Sequence, residues 1–291
     1  MPSIDRLSAL LEHFHLSTRL SFSGSMCGKH VFAYEAKKAY LHVFRSGSVK
    51  VRHPQKMRGV PAQVQLNEPS FLFYPRPLTH QFINSPDDAS QFVCAEIDFQ
   101  GGDMHPIVQA LPSFVLLPLS EVDGLEASLN LLFAETGRVR CGHKILADRL
   151  FEVVLIQLLR WLLDHPAHAN INDGLLMGLT SPQIAKALTA MHESPGLAWT
   201  IEQLAETSGM SRTAFAIKFK KLLGTSPGQY LADWRLALVQ ARLKEGITLK
   251  ALALELGYSS QSALTRVFSQ RLGVSPRQWL SRATPVFDKE R

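Results

Sequence analysis

Between residues 21 and 99 the apolar positions come in short runs, among them AYLHVF, SVKVR, VQL, SFLFYP and QFVCAEIDF, separated by glycine, proline and asparagine. Short apolar runs bounded by turn formers predict strands. Several of them spaced this closely predict a sandwich or small barrel. Past Pro118 the period lengthens. Residues 121–135 carry an amphipathic helical pattern, and residues 144–163 are apolar almost all round, so that helix must be covered on most faces, either by the β-rich domain or by a second copy of the chain. The opening MPSIDRLSALLEHFHL sets acids and a histidine inside its apolar rhythm and predicts an amphipathic helix in place of a secretory signal. The most apolar stretch contains Asp148, Arg149, Glu152 and Arg160 and makes a poor membrane span, so the expectation is a soluble, cytoplasmic chain.

Residues 165–173, HPAHANIND, are polar and proline-containing, as linkers are, and a short helical turn at 174–178 is read as part of the same connection. Ser181 followed by Pro182 has the form of a helix cap with proline at the first helical position. The expected organisation is a first domain over 1–164, a linker over 165–180 and a second domain over 181–291.

The second domain contains a repeat. TIEQLAETSGMSRTAFAIKFKKLLGTSPGQYL at 200–231 returns as TLKALALELGYSSQSALTRVFSQRLGVSPRQWL at 248–280, offset by 48 residues before the turn and 49 after it. Each copy has the grammar of a helix-turn-helix, over about 200–224 and 248–273. A threonine caps the first helix, Leu204/Ala205 or Leu252/Ala253 let it pack closely, Gly209 or Gly257 ends it, and Ser211 or Ser260 opens the second helix. Helical spacing turns Phe215, Phe219 and Leu222 inward in copy one, and Leu264, Phe268 and Leu272 in copy two. The opposite faces present Thr213, Ala216, Ile217 and Lys220, and then Ser262, Thr265, Arg266 and Ser269 with Gln261 at the exposed end. Ser226-Pro227 opens a long helix through Trp234 and Ala241 that would hold the copies at a fixed separation.

Charge gives that geometry a partner. The chain carries a formal +6, but residues 181–291 hold 15 lysines and arginines against 8 acids, a surplus of +7 that leaves −1 for the rest. Clustered cations on a helical domain point to a polyanion, because binding releases counterions from phosphates. On double-stranded DNA, Arg266 suits a bidentate bond to guanine, Gln261 suits adenine, and Thr213 or Thr265 suits a thymine methyl or an acceptor. Ala216 and Ile217 make only apolar contacts, so copy one is expected to position the protein, with Arg212, Lys220 and Lys221 at phosphates. Lys218 and Arg271 read as solvated or phosphate-range side chains.

The second domain resembles the C-terminal domain of AraC/XylS-type regulators over about residues 181–283, on the strength of WTIEQLAE, GMSRTAFAIKFKKLLGTSPGQYL, WRLALVQARL and LELGYSSQSALTRVFSQRLGVSPRQWL. Leu264 stands where an aromatic is common and Ser269 where a lysine is common. The first domain is similar to the cupin-type sensor of a subset of that family, on LHVFRSG at 41–47, PRPLTHQFIN at 75–84, the FVCAEIDF strand and HPIVQALPSFVLL at 105–117. The resemblance implies an α+β chain: a cupin-like β-barrel with appended helices, then an all-α domain with two helix-turn-helix units. It also implies a homodimeric transcription regulator that binds promoter DNA, works with RNA polymerase and answers to a small-molecule or oxidant effector. Activation is the family's commoner outcome, although repression leaves the same signature.

PRPLTHQFIN keeps the spacing of the second cupin motif with Pro77 in place of a glycine, and the first motif, with its His-x-His pair and Glu, has no counterpart. His42 and His80 alone fall short of the three protein ligands a catalytic metal needs. They are read as hydrogen-bonded histidines of the interior or as effector contacts, with no metal and no cofactor expected. With no nucleophile motif or phosphate loop either, the chain is not expected to be an enzyme. The three cysteines have no metal-type spacing and fit a reducing compartment. Cys27 and Cys94 are either a pair of thiols that bridge reversibly across the barrel or two small buried side chains.

Overall fold

Period-two burial turns the first half of the chain into strands in the computed structural model, which describes residues 5–169 and 174–283. After a short helix α1 (Ser8–His13) come β1 (Leu16–Ser25), β2 (Gly28–Phe32), β3 (Lys38–Ser46), β4 (Val49–Arg52), β5 (Gln63–Leu66), β6 (Ser70–Tyr74), β7 (His80–Asn84), β8 (Gln91–Phe99), the helix α2 (Pro106–Ala110) and β9 (Val115–Pro118). The strands form two antiparallel sheets, ordered β1-β8-β3-β6-β9 and β2-β7-β4-β5. Alternation gives each sheet an inner face. Tyr40, Phe44, Leu72, Tyr74, Phe92 and Cys94 from the first sheet meet Val49, Val51, Leu66 and Phe82 from the second in one buried cluster. The central strands β3 and β6 are buried on their other face too, at Leu41, Val43, Phe71 and Phe73. This is why they read as continuous apolar runs.

Two helices follow, α3 (Glu126–Thr136) and α4 (His143–Asp164). The helix expected from residue 121 begins five residues later, because the chain first makes a 3-10 turn at Leu119–Glu121 and a second turn at 123–124. α4 lies along β1: the Thr18 hydroxyl donates to the Asp148 carbonyl at 2.5 Å, and the Asp148 carboxylate accepts from the Leu20 amide at 2.6 Å. Residues 15–169 close one compact unit.

Residues 174–283 form the other together with residues 5–14. Its helices are α5 (Leu175–Thr180), α6 (Pro182–Glu193), α7 (Ile201–Thr207), α8 (Arg212–Leu223), α9 (Pro227–Lys244), α10 (Leu249–Glu255), α11 (Gln261–Leu272) and α12 (Pro276–Ala283). Two boundaries differ from those expected. The segment 174–180, assigned to the linker by composition, is a structural helix: Leu175, Leu176 and Leu179 are buried, and Gly178 packs on Leu188 and Leu223. Residues 170–173 of the expected linker, and 284–291 of the second domain, lie outside the described residues. At the other end, α1 packs on the helical unit and not on the barrel. Arg6 donates to the Leu179 carbonyl at 3.2 Å, His13 Nε2 donates to the His192 carbonyl at 2.9 Å, and the Phe14 ring meets Trp234 edge-on at 5.1 Å.

Candidate nucleic-acid interface and barrel interior

Capping builds both helix-turn-helix units. Thr200 accepts from the Gln203 amide while Gln203 reaches back to the Thr200 amide, Thr248 accepts from the Ala251 amide, and Ser211 and Ser260 accept from Ala214 and Ala263. Each bond satisfies an amide the helix cannot. Phe215 and Phe219, and Leu264 and Phe268, are fully buried as their spacing requires. Leu223, not Leu222, completes the copy-one core, since it meets Gly178 of the added helix α5.

Outside lie the expected readers. Arg212, Thr213, Ile217 and Lys220 are exposed along α8, and Gln261, Ser262 and Arg266 along α11; Ala216, Thr265 and Ser269 are half-buried on the same faces. Ile217 is 65% exposed, far more than stability alone would favour for its type. Cations of α8 and α11 are engaged within the fold: Arg212 pairs with Glu202 at 2.8 Å, Lys218 donates to Gln183 at 2.8 Å, and Arg271 pairs with Asp233 at 3.0 Å.

Beneath the interface is a buried polar node that the sequence reading missed. The Tyr230 hydroxyl and His192 Nε2 share a hydrogen bond of 2.6 Å, and the imidazole stacks on Trp234 at 3.9 Å. Burial holds His192 down to about 3, so it stays neutral. His192 continues the rhythm of Ile184, Leu188 and Met191 on α6, which was the signal available for its burial.

In the barrel, His42 and His80 come from different sheets and meet, Nε2 to Nε2, at 2.8 Å, both wholly buried. The proton positions follow from the partners. His80 Nδ1 must donate to the Leu78 carbonyl at 2.8 Å, so its Nε2 accepts from His42 Nε2, and His42 Nδ1 is left as a buried lone pair without a partner among the described residues. Desolvation lowers His80 to about 3 and puts His42 well below its ordinary value. Tyr74 stacks on His80 at 4.0 Å and donates its hydroxyl to His53 Nε2 at 3.0 Å, while Phe32 stacks on the other side of His80 at 4.8 Å. The arrangement is neutral and aromatic, with hydrogen bonding confined to a few atoms. Among the described residues no three His, Cys, Asp or Glu side chains converge as metal ligands.

The two cysteines have different surroundings. Cys94 sits opposite Phe22 on β1, whereas Cys27 lies five residues further along, past the end of that strand. A straight continuation of the strand at about 3.3 Å per residue would put Cys27 roughly 16 Å from that position, against the ~7 Å limit for a disulfide. Cys94 is buried in the interior cluster, where desolvation raises its thiol, and Cys27 is exposed. In the native chain a maleimide should label Cys27 and Cys141 promptly and Cys94 only on denaturation; rapid labelling of all three thiols would contradict this packing.

No helix among the described residues is long and apolar enough to cross a membrane. Residues 5–164, more than half of the chain, match a family model described as cupin, and residues 204–282 match one described as a helix-turn-helix domain. A putative AraC-like transcription regulator of Streptomyces lividans is 33% identical over 61% of this chain and 59% of its own length, so the chain spans about three-fifths of that relative. The RCS-specific HTH-type transcriptional activator RclR of Escherichia coli K12 is 24% identical over 72% of this chain and 75% of its own length. The crystal structure of ToxT from Vibrio cholerae aligns over 94% of this chain and 100% of that one, at 13% identity and a TM-score of 0.40. With a cupin domain ahead of a paired helix-turn-helix domain, the chain belongs to the AraC-type family of transcription regulators.

Proposed function

We propose that the chain regulates transcription by binding specific double-stranded promoter DNA through α8 and α11, under the control of an effector taken up by the barrel. The observation that carries this reading is the pair of capped helices, each with a buried aromatic face and an exposed polar one, in the half of the chain that holds the positive surplus. The 18-residue α9 between them is about 27 Å long, commensurate with the roughly 34 Å between successive major grooves. Arg266 and Gln261 read base edges in copy two, with Ser262, Thr265 and Ser269 beside them. Copy one contributes Thr213, the apolar Ala216 and Ile217, and Lys220 at the backbone.

The effector is a small molecule that engages the His42–His80 pair or an oxidant that acts at Cys27 and Cys94, and the meeting of the two imidazoles inside the barrel supports the first. Homodimerisation through α4 is supported by its outer face, where Ile145, Leu146 and Val153 remain exposed. Activation, through contact with RNA polymerase, is the outcome favoured by the family and by the Escherichia coli relative RclR, a transcriptional activator. The family is one of regulators rather than enzymes.

Selection of genomic fragments with the purified chain, followed by footprinting at two salt concentrations, tests the reading. Protection of two adjacent major grooves on one face supports it, and uniform, strongly salt-sensitive protection overturns it. At the selected site Arg266→Ala should cost about 1–3 kcal/mol while hardly changing binding to unrelated DNA. Equal losses on both would move Arg266 to the phosphate backbone.

A further inference from the structure

Arg212 is the first residue of α8, at the end that would meet DNA, and its guanidinium is held at 2.8 Å by the carboxylate of Glu202, the second residue of α7. Both side chains are well exposed, so the pair contributes little to folding. The internal repeat gives it another significance. The position equivalent to Glu202 in copy two is Lys250, 48 residues on, and the position equivalent to Arg212 is Gln261, 49 residues on. Copy two thus carries a cation on its first helix and a neutral amide on its second, while copy one carries an acid and a cation locked together. In a helix-turn-helix the first helix crosses the phosphate backbone. An acid there repels phosphates and also occupies the one cation at the start of α8.

We propose that Glu202 is a specificity-determining residue that suppresses sequence-independent binding by copy one; the proposal rests on the DNA-binding reading above. On arbitrary DNA Arg212 exchanges one anion for another when it leaves Glu202 for a phosphate, and the exchange contributes little. At a site that offers a guanine edge the guanidinium makes two directed bonds, which compete better with the carboxylate. Glu202 therefore narrows the contribution of Arg212 to cognate sites and leaves general backbone attraction to Lys220, Lys221 and Lys250.

The test uses the full chain, the selected fragment and a scrambled duplex of equal length, with Glu202→Gln, Arg212→Ala and the double variant measured across a salt series. Glu202→Gln should bind the scrambled duplex 3- to 10-fold more tightly, with a salt slope steeper by about one phosphate contact. The selected fragment should gain less, so the preference narrows, and Arg212→Ala should cancel the gain in the double variant. Unchanged binding of the scrambled duplex overturns the proposal. So does a gain that survives Arg212→Ala, which would make Glu202 a plain source of repulsion. A wild-type chain with no preference between the duplexes would instead overturn the DNA-binding reading itself.

Discussion

Replacing Gly257 by alanine should destabilise the helical unit by about 3 kcal/mol or more, whereas the same change at Gly209, its counterpart in the repeat, should cost about 1–2 kcal/mol. Both glycines have left-handed backbone, φ +74° and +64°, which L side chains adopt at a cost. Only Gly257 adds a steric demand, since a methyl group there would lie 2.1 Å from the Gly196 carbonyl oxygen and 3.0 Å from its carbon, and backbone cannot swing aside. At Gly209 nothing lies within 4 Å. The contact fastens the turn of copy two to the segment after α6, and the guanidinium of Arg235 braces that segment by donating to the carbonyls of Pro195 and Leu197 at 2.6 and 2.8 Å. Urea unfolding of the two variants measures the difference. Equal losses would mean that the close approach between Gly196 and Gly257 carries no strain.

Acidification should weaken both units in the same window. An imidazole held neutral by burial binds no proton below pH 6.5 until its own low value is reached, whereas in the unfolded chain it protonates at about 6.5. The unfolded state therefore binds more protons between those values, stability rises with pH, and it falls as pH drops from 6.5 toward 3. For His80 and for His192, each lowered to about 3, the loss between pH 7 and pH 5 is about 2 kcal/mol apiece. His42 adds a loss of the same sign to the barrel. Urea midpoints that stay level between pH 7 and pH 5 would show that these rings are solvated or charged. Glu96 behaves differently: although desolvation opposes its charge, Arg19 and Lys38 hold it below its ordinary value, and it loses its contribution only as pH falls through that lower range.

What was legible in the chain was whatever a few neighbouring residues decide. The caps at Thr200, Ser211, Thr248 and Ser260, and the inward phenylalanines of α8 and α11, follow from spacings of three and four, and the repeat doubled the evidence for each. The strand runs around Tyr40 and Phe71 were equally plain. Contacts between distant segments were another matter. His42 and His80 stood out as residues, but that they touch depends on how two sheets face each other. The surroundings of Cys94 were hidden for a related reason, because its place opposite β1 depends on a register that includes a bulge between Leu20 and Phe22. Leu223 displaced Leu222 from the core because α5, taken for a linker, brought Gly178 against it. The Glu202–Arg212 pair was hidden because a helical pattern shows which face is outward but not which neighbour waits there.

The opening helix alters what counts as a separable part of this protein. Only Phe14 and His15 separate it from the first strand of the barrel, yet Leu7, Leu10 and Phe14 are buried with the helices that follow residue 174. The chain therefore passes from one unit to the other twice, and the barrel is in effect an insertion within the helical unit. A clean cut at the later crossing does not yield a whole DNA-binding domain, because it discards the cover over Trp234 and the backbone of His192. For anyone grafting a different sensor onto these helices, the portable piece has two ends: the first fourteen residues must travel with the last hundred or so, and the new sensor belongs between them.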